Sequence, residues 1–170
     1  MTRQDQMYKW FIYFLGLLPL WLADAYLLGR YLPMGRKPLL LLLSVVAVAV
    51  MEGASAGTKF GLAVGLLWVF GYPQVNSGMI FFLAFTGMWV GIAAQYALTQ
   101  GFFGCLLCSA GALVALEGLH VAWGMFSHQA ELQILLQTAI GEFLFTMIWV
   151  PLVYLIFRMV FQRVGLDKLA

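Results

Sequence analysis

The sequence predicts an all-α, polytopic membrane protein with six transmembrane helices, and three observations predict it. Hydrophobic residues make up 64 % of the 170-residue chain and charged residues 9 %, against roughly 25 % charged in an ordinary globular domain. Surface-to-volume scaling gives a soluble fold of this length no means of hiding that much apolar surface. The apolar residues also fall into runs of the right size, since a helix needs about 20 of them to cross a bilayer. Finally, 16 % aromatic residues and 18 glycines suit interfacial anchoring and close helix–helix contact. A net charge of +2 is too small to point to nucleic acid. Residues 1–170 read as a single integral membrane domain.

The first span covers 9–30. It follows a basic start, MTRQDQMYKW, which resembles the opening of a signal peptide. The apolar run is long, however, and no small-residue cleavage site of the A-x-A type closes it, so the segment is expected to be retained. The next two segments, 38–52 and 57–71, are short. A single helix over 38–71 would be about 50 Å long, well beyond a hydrocarbon core of about 30 Å. Two spans joined by a tight Gly/Ser turn fit better. Segments 78–98, 101–126 and 134–162 complete the six. Pro151, in TMIWVPLVYLIF, predicts a kink or a break in the last helix. Arg158 and Arg163 follow at its exit, where cations complement a helix C-terminus and an anionic leaflet. Trp10, Trp21, Trp68, Trp89, Trp123 and Trp149 read as interface belts and packing.

Orientation follows from the nine Lys and Arg. Arg3, Lys9, Lys59, Arg158, Arg163 and Lys168 fall on one side of a six-span chain, and Arg30, Arg36 and Lys37 on the other. The bias places both termini in the cytoplasm. The loops 72–77 and 127–133 are short and nearly free of basic residues, as outer loops should be.

The stretch EGASAGTKFGLAVG carries a glycine every fourth residue, at Gly53, Gly57, Gly61 and Gly65. That spacing draws one slowly drifting stripe along a helix, and Gly87 and Gly91 repeat it in the fourth span. Bare backbone lets another helix approach closely, which is how helices associate in lipid. Two readings are open: packing within this bundle, or a groove that receives a partner's span. Glu52 and Lys59 flank the turn and are expected near the inner interface, as boundary residues or as a cytoplasmic contact point.

Asp24, Glu117, His120 and Glu142 lie deeper, at similar depths in the outer half of the membrane. Ionisable residues there suggest function. They form either a polar cluster that fixes the bundle, with Glu142 hydrogen-bonded to His120 or Glu117, or a cavity for a ligand or partner. Cys105-Leu-Leu-Cys108 has CxxC spacing, but zinc needs four donors. His120 is about four turns away on the same helix, and His128 is in a loop. The cysteines therefore read as small packing residues. No metal, cofactor or catalytic constellation is indicated, so the chain is not expected to be an enzyme, although a Glu117/His120 acid–base pair is conceivable.

Taken in order, these motifs resemble the MreD family of bacterial rod-shape-determining membrane proteins. Arg36-Lys37-Pro38-Leu39 opens the second span. Gly57, Gly61, Leu62 and Gly65 form G-x-x-x-G-L-x-x-G, and Trp149, Pro151 and Arg158 form W-x-P with an exit arginine. Where many members carry an acid after the Gly-Leu pair of the third span, this chain has Trp68. The resemblance implies a non-catalytic subunit of the cell-elongation complex in the bacterial cytoplasmic membrane. Its partners would be a single-span MreC-like protein and, with it, the lipid-II polymerase RodA and its penicillin-binding transpeptidase. It also implies a fold similar to the substrate-binding subunits of energy-coupling-factor transporters. That likeness supplies an alternative function, capture of a vitamin-type small molecule.

Overall fold

The computed structural model describes residues 3–24, 39–71, 77–96, 101–126 and 132–166. The basic loop with Arg30, Arg36 and Lys37, most of the loops 72–77 and 127–133, His128 and Lys168 lie outside them. Among the described residues six helices follow one another: α1 (Arg3–Leu22), α2 (Leu40–Glu52), α3 (Ala54–Gly71), α4 (Gly78–Tyr96), α5 (Phe102–Phe126) and α6 (Leu132–Leu166). Helices α3, α4, α5 and α6 are long and apolar enough to cross a membrane, while the apolar part of α1, Met7–Leu22, and α2 are shorter. Large apolar side chains point outward on every side, among them Phe11, Phe70, Phe81, Trp123 and Ile148. A surface of that kind is matched to lipid, so this is a helical membrane protein.

Helix α2 is the centre of the bundle. Its run LLLLSVVAVAV is apolar on all faces, and a helix of that kind must be surrounded by others. Every residue from Leu40 to Val50 is buried, and α2 touches all five other helices. Ser44, the one polar residue in the run, donates from Oγ to the Leu41 carbonyl (2.6 Å), so no hydroxyl is left orphaned. At the start of α2 the Leu39 N–H donates to Thr146 Oγ1 (3.3 Å), and Thr146 in turn donates to the Glu142 carbonyl (2.6 Å). A side chain of α6 thus supplies an acceptor where a helix start leaves amides without intrahelical partners.

The sequence placed a turn across 52–57. The structure needs only Gly53, at φ +90° and ψ −176°, a conformation open to glycine because it has no Cβ. The Gly53 N–H closes α2 onto Ala49 O (2.9 Å), and the Gly53 carbonyl accepts from Gly57 N–H (2.9 Å) in the first turn of α3. Residues 40–71 are therefore two antiparallel helices rather than one long one. Helix α6 runs on through Pro151 without a break, the proline facing outward.

The helices alternate in direction. Lys9 meets Glu52, Gly53 faces Gln95, Phe102 lies edge-on to Tyr154 (centroids 5.5 Å) and Tyr13 stacks on Phe157 (6.3 Å). The start of α1, the α2–α3 joint, the end of α4, the start of α5 and the C-terminal half of α6 thus gather at one end of the molecule.

Candidate functional site

The glycine stripe is already filled. A methyl group built at Gly57 would lie 2.6 Å from the Gly87 carbonyl oxygen, and one at Gly65 would lie 2.7 Å from Ile80 Cα. Gly61 meets the backbone of Leu83 and Ala84, Gly87 that of Gly57, and Gly91 that of Ala54, while Gly53 abuts the Gln95 side chain. The stripe on α3 and the Gly87–Gly91 pair on α4 are two halves of one internal contact. Gly53, Gly57, Gly61, Gly65, Gly87 and Gly91 therefore leave no groove for a partner's helix. In lipid the gain comes from backbone packing, and the adjacent helix of the same hairpin reaches the stripe first.

Glu52 is likewise engaged within the bundle. Its carboxylate forms an ion pair with Lys9 Nζ, the two side chains being 10 % and 17 % exposed, and its Oε1 accepts from Tyr13 OH (2.8 Å). Lys59, the charge expected beside it at the turn, lies exposed on α3. The reason is electrostatic. Glu52 ends α2, where the helix dipole opposes a negative charge, and a buried carboxylate needs both opposite charge and hydrogen bonds. Lys9 and Tyr13, four apart on one face of α1, supply both. The Tyr13 ring then joins Phe60 of α3 (6.2 Å, edge-on) and Phe157 of α6, which meet each other at 5.8 Å. One polar contact and one aromatic cluster together tie α1, α2, α3 and α6. A carboxylate held by an ammonium and a phenol is an anchored acceptor rather than a base available to a substrate. Lys9 and Tyr13 escaped the sequence reading; the available signal was an acid at the end of an all-apolar helix, which demands a donor from elsewhere in the chain.

The deeper polar residues are brought together in part. Glu117 and His120 face each other on α5, with His120 Nδ1 3.9 Å from Glu117 Oε2. Glu142 of α6 lies within electrostatic reach of that imidazole. Glu117 is 8 % exposed, and its Oε1 has no hydrogen-bond partner. It lines a cleft of about 510 Å³ between α5 and α6 whose other walls, such as Val114, Gly118 and Ala139, are apolar. Asp24 is also buried, two residues past the end of α1, a helix end that packs beside the end of α3, where Trp21 meets Gly71. Cys105 and Cys108 are buried free thiols in α5. Among the described residues no three His, Cys, Asp or Glu side chains are grouped closely enough to hold a metal ion.

Compared with protein-family models, curated proteins and solved structures, the chain finds no match in any of the three.

Proposed function

We propose that this chain is a non-catalytic membrane subunit of a bacterial cell-elongation complex, acting on peptidoglycan synthesis through a single-span MreC-like partner. The observation that carries the reading is the order of the motifs along the chain: Arg36-Lys37-Pro38-Leu39 before α2, G-x-x-x-G-L-x-x-G in α3, and W-x-P with Arg158 in α6. The six-helix order is compatible with it. In this reading all six helices count as spans and both termini are cytoplasmic. Helix α2, at about 20 Å, is shorter than the hydrocarbon core of about 30 Å. It is sheathed by the other five helices and need not match the lipid itself. The fold is then of the kind found in the substrate-binding subunits of energy-coupling-factor transporters. The mode of action is docking, and since the α3–α4 glycines are closed, docking falls to the lipid-facing sides of the helices.

The test is recovery of the tagged protein in native nanodiscs, followed by mass spectrometry. A single-span protein with a periplasmic domain, accompanied by a RodA-like polymerase and a transpeptidase, is the expected result. Recovery of paired ATPases and a coupling subunit would overturn it in favour of a transporter's small-molecule-binding subunit.

A further inference from the structure

The α5–α6 cleft joins open apolar space to a buried acceptor that nothing in the chain answers. Glu117 is more than nine-tenths buried, lines the cleft, and its Oε1 has no hydrogen-bond partner. Its two carboxylate oxygens have different surroundings. Oε2 faces His120 Nδ1 at 3.9 Å. The remaining walls of the cleft, among them Val114, Gly118, Leu136, Ile140 and Leu144, carry no side-chain donor for Oε1. In a hydrocarbon setting an unanswered acceptor is costly, so an occupant that brings a donor is favoured.

The shape of the cleft says what kind of occupant fits. Its volume of about 510 Å³ falls within the roughly 300–1,000 Å³ of small-molecule sites, which pair apolar walls with a few placed polar groups. A methyl group added at Gly118 would meet nothing within 4 Å, so the space is open on the α5 side. Val114, Ile140 and Leu144 at its rim are exposed on the lipid-facing surface, which makes the bilayer the route of entry. Glu117 precedes the end of α5 at Phe126 by about 13 Å of helix. That depth is out of reach of a phospholipid headgroup held at the interface, and it calls for a small molecule dissolved among the acyl chains.

Charge selects the donor. Two acids, Glu117 and Glu142, stand against one imidazole, His120. Such a setting repels a phosphate or a fatty carboxylate and attracts an ammonium. Hydrogen bonds to a charged group are also stronger than those between neutral groups.

We propose that the α5–α6 cleft binds a membrane-dissolved apolar primary amine, whose nitrogen donates to Glu117 Oε1 and whose hydrocarbon body rests against Leu136, Ile140 and Leu144. Acid and amine then share one ionisable proton, and the pair is neutral as a whole wherever that proton sits, as burial in hydrocarbon requires. The proposal does not depend on the cell-elongation reading.

Photolabelling of the full chain in nanodiscs tests it, with octylamine carrying a diazirine on its chain as the probe. Mass spectrometry should place the label on α5 and α6 around the cleft, and unlabelled octylamine should compete it away. Octanol and octanoate should each compete at least about tenfold less well, as expected when a charge-assisted hydrogen bond is missing. Glu117→Gln should weaken labelling by a similar factor. Gly118→Leu, whose side chain would occupy the cleft, should abolish it. The open space at Gly118 predicts that this variant folds; should it not, Glu117→Gln decides alone. Label spread evenly over the lipid-facing helices, competition by octanol or octanoate equal to that by octylamine, or labelling unchanged in Glu117→Gln or in a folded Gly118→Leu would each overturn the proposal.

Discussion

Glu52 occupies an unfavourable place for a carboxylate, at the carbonyl end of an otherwise apolar helix, and Lys9 and Tyr13 make that place tenable. Breaking such a pair costs more than the pair itself contributes, because the remaining charge stays buried without compensation. Lys9→Met should therefore lower stability by about 3–5 kcal/mol, while Lys9→Met combined with Glu52→Leu should regain most of the loss. Denaturant titration in mild detergent reads both, and a neutral Lys9→Met would show that water already screens Glu52. Tyr13→Phe, which removes one hydrogen bond but keeps the ring among Phe60 and Phe157, should cost about 1 kcal/mol. In the sequence the charge visible near Glu52 is Lys59. The partner that binds it is 43 residues away, and local spacing carries no record of that meeting.

At the level of the helix the sequence is far more legible. Lipid imposes length and apolarity on each run, and among the described residues the helices lie along those runs; the outer end of the first segment lies outside the described residues. The break between α2 and α3 was foreseen from length alone, though its reduction to Gly53 was not, because φ is invisible in composition. What the runs do not encode is direction. Glycines of α3 and α5 are the same letter in the sequence, yet Gly57, Gly61 and Gly65 are closed by α4 while Gly111 and Gly118 have nothing within 4 Å of an added methyl group. Gly61→Leu should therefore prevent folding or strongly reduce resistance to detergent unfolding, since its side chain would have to displace the backbone of Leu83 and Ala84, while Gly118→Leu should leave the fold intact. Gly53→Ala, forced to keep a positive φ with an extended ψ, should cost about 1–3 kcal/mol. Equal stability of the Gly61→Leu and wild-type proteins would mean that α3 and α4 are not in contact through this face.

For the whole molecule the alternation of helices is open to a labelling test. In a Cys105→Ala/Cys108→Ala background, Met7→Cys, Tyr96→Cys and Gln162→Cys should react with an impermeant maleimide from one side of the membrane, and Gly71→Cys from the other. Labelling of Gly71→Cys from the same side as Met7→Cys would refute the antiparallel course of the chain. The mixed legibility of the polar residues also belongs to this scale. Glu117, His120 and Glu142 could be grouped by depth, because depth follows from position along a span. Depth does not fix rotation about the helix axis, so the open Oε1 of Glu117 was beyond the sequence. The central position of α2 has a mechanical consequence. Every other helix touches it, so none can be withdrawn without stripping part of its surroundings. Drawn from a bilayer by force on the C-terminus, the chain should release α6 first and then give way in a few large rips, rather than helix by helix.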